Sequence, residues 1–570
     1  MQRSSSSDKT PPGYDAEKTT YDAGAGDDVT GHIRGLETST DTALHRGLKA
    51  RHITMIAIGG AIGTGLIIGT GKALAQAGPG SIFVSYSIVG MIVFLVMAAL
   101  GEMAAWLPMS AGFTGYASRF CDPSLGFALG YSYWFKYIIV TPNQLTAFAL
   151  VMQYWLPRDR VNPGVWIAIV LVIIIVINYF GIKFFGEFEF WLSSFKVIVI
   201  CGVIILTLVI ALGGGPNHQR TGFRYWQDPG AFAPYIDTNN IAAGKFYGFW
   251  STMVIATFAF LGTELVGVTV GEAQNPRKTI PRAIRLTFYR ILVFYILSVL
   301  LLGMVVPYNS KELAFANKAS TGAAASPFVL AVKLSGIKVL DHILNACILV
   351  FVFSACNSDL YIASRTLYGL ASDGDAPRIF RRTNKDGVPI YALGASSLFC
   401  LLAFMNVSDD SKTVFGYFVN LTTIFGLNTW ISILVTHIWF RRARKAQNIP
   451  NSAMPYNAPL GIYGSYAALV MCVIIALTKN FDVFTGDFKS KYATFITGYL
   501  GIPIYLILIF GHKIVTKSKG IRPHECDFYT GKDIIDREEE AFLAEQAAKK
   551  AAKGPDTAGA FYKKWVSWLL

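Results

Sequence analysis

The sequence predicts an all-α polytopic membrane protein of about twelve transmembrane helices, and three observations carry that prediction. First, 53% of the 570 residues are hydrophobic and only 15% are charged, with apolar runs long enough to cross a hydrocarbon core recurring along the chain. Second, aromatic residues reach 14%, which suits the belts that polytopic proteins carry at both interfaces. Third, the first and sixth runs are both interrupted by small residues, at corresponding places in two successive sets of five spans. Paired breaks of this kind indicate a five-plus-five inverted repeat with a polar site between the breaks.

A polar, Ser/Thr/Gly/Asp-rich stretch of about fifty residues comes first. It reads as a disordered tail (1–50), without a cleavable signal sequence. The transmembrane domain is expected over 51–516 and a C-terminal tail over 517–570. The spans are placed near 53–76, 80–104, 125–152, 164–185, 191–212 and 246–271, then 288–307, 339–367, 389–406, 413–440, 460–478 and 494–515. The net charge of +14 does not indicate nucleic acid, because the basic residues cluster in short segments between apolar runs. Arg277, Lys278, Arg282 and Arg285 follow the sixth span, and Arg441, Arg442, Arg444 and Lys445 follow the tenth. The positive-inside rule then puts both termini in the cytoplasm, next to an anionic leaflet. A long loop, about 213–245, is expected to pack over the outer mouth. The C-terminal tail carries the helix-prone REEEAFLAEQAAKKAAK and ends in KKWVSWLL; it reads either as a solvated tail or as a basic tip touching the inner leaflet.

The first span reads ITMIAIGGAIGTGLIIGTG. Glycines in mid-span weaken a helix by about 1 kcal/mol each relative to alanine, and a backbone that leaves the helix needs protein or water, not lipid, around it. A half-helix starting at Gly63, Thr64 and Gly65 points its N–H groups and positive dipole end into such a cavity, which suits a carboxylate. The same glycines also suit close helix packing. In the sixth span the weak point Gly262-Thr263 runs straight into Glu264.

Ionisable residues inside spans are costly and point to function. Glu102 ends the second span, where it suits a salt bridge with Arg119 or a gating role. Lys196 lies inside the fifth span beside Ser193 and Ser194, as a candidate coupling group. Arg365 shares a helix face with Ser358 in the eighth span. Gln144 follows Pro142 and Asn143 in the third and offers amide donors. No Cys/His/Asp cluster has ligand or nucleophile spacing, so neither a metal, a cofactor nor an enzyme is expected.

AGPGSIFVSYSIVGMIVFLVMAALGEMAAWLP, GGAIGTGLIIGTG, FLGTELVGVTVGEAQNPRKTIPRAI and SRTLYGLASDGDAPRIF resemble the yeast amino-acid transporters of the amino acid–polyamine–organocation superfamily, from about Gly47 to Lys517. YWFKYIIVTPNQLTAFALVMQYW, FFGEFEFWLSSFKV and LNACILVFVFSACNSDLY resemble the fungal dicarboxylic amino-acid permeases. The resemblance implies a leucine-transporter fold with two added spans, and import of glutamate and aspartate by proton symport across the plasma membrane. It implies that backbone at Gly63, Thr64 and Gly65 holds the α-carboxylate. Phe258, Ala259, Phe260 and Leu261 would offer carbonyls to the amino group, with Phe260 as the occluding aromatic. Lys196 matches the position where sodium-driven relatives hold a cation, which favours proton or sodium-independent coupling; Lys196, and the ionisable Glu264 and Glu102, are the proton-coupling candidates. Gln144 stands where many broad-specificity relatives have a glutamate; an amide there spares an acidic side chain from repulsion. Arg365 is shared by relatives of other specificity. The alternatives are a broad neutral amino-acid permease and a transporter-like sensor. The tail lysines Lys9, Lys18, Lys49, Lys549, Lys550 and Lys553 are expected to serve ubiquitin ligases and their arrestin adaptors.

Overall fold

The computed structural model describes residues 63–109, 111–180, 182–236, 240–265, 276–310, 313, 326–385, 387–407, 411–485 and 488–533, with short pieces of 536–548. The first half of the first span, residues 266–275 at and beyond the end of the sixth, and the six tail lysines lie outside them. The described residues are helical, with no strand among them. A π-helical turn, Gly65–Gly69, runs into α1 (Thr70–Trp106). There follow α2 (Gly112–Phe120), α3 (Pro123–Met152), α4 (Pro163–Tyr179), α5 (Ile182–Ala211) and α6 (Ile241–Phe260). Then come α7 (Pro276–Arg290), which continues through a π turn into α8 (Ser298–Val305), α9 (Pro327–Leu334) and α10 (Leu340–Ser372). The last are α11 (Ile390–Cys400), α12 (Ser411–Ala446), α13 (Gly461–Thr478), α14 (Phe488–Tyr499) and α15 (Gly501–Thr516).

Helix starts follow local chemistry. Asp122, Asn162 and Ser326 each precede a proline at the first helical position, and each side chain accepts from the N–H two residues on. The cap satisfies an orphan donor where proline has none to offer. Eight stretches among the described residues are long and apolar enough to cross a membrane. α3 and α6 fall outside that set: α3 carries Lys136, Thr141, Pro142, Asn143 and Gln144, and such polar residues fit a helix lining a cavity. α4, at 17 residues, is about 26 Å long.

Several expected boundaries shift. The backbone leaves the helix at Gly78 (φ 84°, ψ 169°) ahead of Pro79, so the first and second spans meet in a turn inside α1. The fourth span ends at Tyr179, six residues short of 185, and the fifth begins at Ile182. The basic residues after the sixth span lie on a helix, α7, and those after the tenth on the last turns of α12. Polar side chains reach water from an amphipathic helix as readily as from a loop.

Glu102 does not pair with Arg119. It lies fully buried at the end of α1 and accepts from Arg441 (2.8 Å), Arg444 (2.6 Å) and the Ala458 N–H (2.8 Å), with His437 Nε2 at 3.3 Å. Arg119 instead pairs with Asp527 (3.0 Å) and donates to the carbonyls of Asp527 and Thr530. While the terminal KKWVSWLL lies outside the described residues, the C-terminal segment is docked from Ile521 to Thr530, where Phe528 is buried against Phe120, Phe440 and Trp106. Trp439 and Gln447 donate to its carbonyls. Beyond it, Asp536 meets Arg277 and Lys532, and Glu539 accepts from Arg277 at 2.8 Å. Burial acts to raise the Asp536 carboxyl, but hydrogen bonds from Lys532 and Arg277 outweigh it and hold the group below its ordinary value.

Glu102→Gln removes a buried charge and leaves Arg444 facing a neutral amide. A loss of about 3–5 kcal/mol is expected for breaking a buried ion pair on one side. It is read as a fall in the melting temperature of the detergent-purified protein, and no change in melting would refute the network's role.

Candidate functional site

Two interruptions face one another in the centre of the bundle. Thr64 stands before the π turn Gly65–Gly69, with its hydroxyl buried and unbonded among the described residues. Opposite, α6 stops at Phe260, Leu261 turns extended (ψ 144°), and Gly262 takes φ +93°, a backbone conformation that costs glycine little. The two chains touch: a Cβ added at Gly65 would lie 2.4 Å from Ala259 Cα. The expected close packing thus occurs at Gly65, while the residues that would show a half-helix start, those before Gly63, lie outside the described residues.

A pocket of about 40 Å³ lies at this crossing, room for about three waters. Gly63, Thr64 and Gly65 line one side and Phe258, Ala259, Leu261 and Gly262 another. α3 contributes Lys136 and Gln144, and α10 contributes Asp359. Lys136 is buried and forms a short ion pair with Glu264, which also accepts from the Gly262 N–H (3.2 Å) and Trp430 Nε1 (3.3 Å). The ammonium lies 4.5 Å from the centroid of Tyr137 and 5.0 Å from that of Tyr133, distances at which a ring face attracts a cation. Gln144 Nε2 donates to Asp359 Oδ2 at 3.0 Å, leaving its carbonyl oxygen unbonded among the described residues.

Other expected residues lie elsewhere. Phe260 turns away from the pocket and stacks on Tyr295, centroid to centroid 4.4 Å; two residues on a helix are about 200° apart, so Phe258 occupies the pocket side instead. Ser358 is buried beside Asp359 but does not line the pocket. Arg365 lies farther along α10, over the Tyr361 ring at 5.1 Å. Lys196 is buried 3.5 Å from Glu189, which accepts from Ser193 and Ser354, and lies outside the pocket wall. Lys136 and Asp359 are the site residues that the sequence reading passed over. The rule that singles out Lys196, a charge inside an apolar run, applies to Lys136 equally.

A second, larger cavity of about 600 Å³ lies on the far side of Phe258, within the range of small-molecule sites. Phe258 lines both spaces. Tyr235, from the long loop expected over the mouth, forms part of its wall, and that loop is tied to the turn in α1 by Gly80 N–H to Ala231 O (2.7 Å) and Ala233 N–H to Ala77 O (2.9 Å).

The family described as amino acid permease matches residues 52–521. The chain belongs to the amino-acid permease family. This permease is 57% identical over 500 residues, 88% of its length and 82% of the relative's, to the dicarboxylic amino acid permease of Saccharomyces cerevisiae. It is 42% identical over 88% of its length, and 91% of the relative's, to the proline-specific permease of Emericella nidulans. In structure it is similar to a point mutant of the Eremococcus coleocola manganese transporter, with a TM-score of 0.52 at 12% identity, covering 82% of this chain and 94% of that one. That likeness concerns the fold alone. The permease is a multi-pass membrane transporter of the all-helical leucine-transporter fold class, not an enzyme family member.

Gly65→Ala is expected to cut amino-acid uptake at least tenfold at unchanged surface level, since overpacking displaces backbone. Because the clash is with Ala259 Cα, adding Ala259→Gly should not restore uptake; restoration in the double variant would refute the backbone contact.

Proposed function

We propose that this permease imports L-glutamate and L-aspartate by proton symport across the plasma membrane, with both termini cytoplasmic. The observation that carries the reading is Lys136, a buried ammonium in the wall of the central pocket. The identity to a dicarboxylic amino acid permease supports it. An acidic amino acid has two carboxylates and one ammonium. The half-helix start at Gly63–Gly65 suits the α-carboxylate, and the broken backbone at Phe258–Leu261 suits the α-ammonium. Lys136 and the Gln144 amide then serve the second carboxylate.

The Lys136–Glu264 pair gives the coupling. While Glu264 is ionised it holds Lys136; a substrate carboxylate must compete for the same ammonium. Protonation of Glu264 removes that competitor and leaves the ammonium to the substrate, so proton and acidic substrate enter together. Lys196 and Glu102 lie outside the pocket wall, and neither faces the substrate in this scheme. Arginines 441, 442 and 444 gather at the Glu102 end of the bundle, which supports placing that end in the cytoplasm.

Labelled L-glutamate uptake in cells without their own acidic permease tests the reading. Uptake is expected to rise from pH 7.5 to pH 5 and to collapse with a protonophore, whereas Glu264→Gln should import with little dependence on pH. A pH-insensitive wild type would refute proton coupling. Gln144→Glu, which sets a carboxylate against Asp359, is expected to reduce glutamate uptake at least tenfold; retained glutamate preference would refute the role of Gln144. The kinship with a proline-specific permease favours a neutral-substrate reading as the second choice, and full competition by neutral amino acids against glutamate would establish it.

A further inference from the structure

The larger cavity carries its own charges, which the central site does not use. Lys72 projects from α1 and is exposed to it, and Lys479, just past α13, is 2% exposed in its wall. Both ammoniums reach the same face of α12. A Cβ added at Gly416 would stand 3.9 Å from Lys72 Nζ, while Lys479 Nζ donates to the Asn420 carbonyl at 2.8 Å. Gly416 and Asn420 are one helical turn, about 6 Å, apart. Among the described residues neither lysine has a carboxylate within ion-pair distance. The nearby acid is Asp482, which also lines the cavity, accepts from the Tyr235 hydroxyl at 3.5 Å and acts electrostatically on Lys72.

A buried ammonium bonded to one carbonyl is costly to retain, since a lysine that is buried ordinarily pairs. Lys479 is such a group, and the exposed ammonium of Lys72 converges with it on a cavity with room for a small molecule. The charges that line it among the described residues, two cations and one anion, are the inverse of an acidic amino acid, two carboxylates and one ammonium. A neutral amino acid would leave one lysine unmatched, which penalises it relative to an acidic one.

We propose that Lys72 and Lys479, with Asp482, form an outer binding station that takes both carboxylates of an acidic amino acid before Phe258 yields to the central pocket. The proposal rests on the acidic-substrate reading above and adds a second point of selection, on the cavity side of Phe258. A substrate held at the station meets Phe258, which lines both spaces and packs edge-on against Phe415 at 6.2 Å. A station of this kind raises substrate capture without acting on later steps, so it appears in KM and not in the maximal rate.

The test is L-glutamate uptake by the full chain in cells, with KM and maximal rate normalised to surface-biotinylated transporter, for wild type, Lys72→Gln, Lys72→Arg and Lys479→Gln. Lys72→Gln and Lys479→Gln are expected to raise KM for L-glutamate about tenfold, the size of one lost charge-assisted hydrogen bond, with the maximal rate kept within about twofold. Lys72→Arg should restore KM towards wild type, and raised ionic strength should increase the wild-type KM more than that of Lys72→Gln. Lys72 decides if Lys479→Gln fails to reach the surface, because Lys72 lies open to the cavity and its loss leaves no buried carbonyl unbonded. An unchanged KM in Lys72→Gln, a lowered maximal rate at unchanged KM, or a loss that Lys72→Arg does not restore overturns the station while the acidic-substrate reading stands. A surface-localised wild type that imports neither glutamate nor aspartate overturns both.

Discussion

The approach of Gly65 to Ala259 sets the terms for the rest of this bundle. Hydrocarbon tolerates a broken helix only where protein or water satisfies the freed backbone groups, and here each broken span shelters the other. The missing side chain at Gly65 lets two backbones meet. That contact brings the glycine-rich turn at Gly65–Gly69 opposite the unwound end of α6 and fixes where a polar pocket can exist. Lys136, Gln144 and Asp359 then come from helices that pack along one another, α3 against α10 and α12, so the charged wall is held by continuous elements and the backbone wall by interrupted ones. Binding sites built this way combine rigid side chains with a hinge-like opposite face.

The two ends of the bundle differ. At the Glu102 end a buried carboxylate gathers two guanidiniums, an imidazole and a backbone N–H, and the docked C-terminal segment covers the neighbouring surface. At the other end lies the 600 Å³ cavity. Between them the central pocket is too small for an amino acid. A transporter must pass through states open to each side in turn, and the present arrangement has its open space on the Asp482 side of Phe258.

Much of this was legible in the sequence because it is local. The glycine-rich stretch at Gly63–Gly65 and the weak point at Gly262 each report on their own few residues. The rest depends on contacts across the chain. Lys136 and Glu264 are 128 residues apart, and Glu102 meets Arg444 across 342; nothing in either neighbourhood announces the partner, so Arg119 looked as suitable for Glu102 as Arg444. The choice between Phe258 and Phe260 turned on helical phase near a helix end, where a shift of two residues reverses the face. The docking of 521–530 is not legible from its composition: Cys526 and Phe528 sit among charges, and Phe528 is buried against Phe120, Phe440 and Trp106, which come from other parts of the chain.

That docked segment is joined to α15 by a linker of only a few residues, in which Ser518 already contacts Ser124 at 2.6 Å, and the segment's first residue, Ile521, bonds the Cys121 carbonyl through its N–H at 2.8 Å. Attachment is therefore intramolecular, at an effective concentration on the order of millimolar. Weak individual contacts suffice to keep the segment in place under such conditions, and about 1.4 kcal/mol changes its occupancy ratio tenfold. Its acidic extension reaches Arg277 on α7, while its aromatic core grips α1, α2 and α12. The chain thus carries its own tethered ligand for the face where helices on both sides of the broken spans converge, and detachment of that ligand requires no unfolding of the membrane domain.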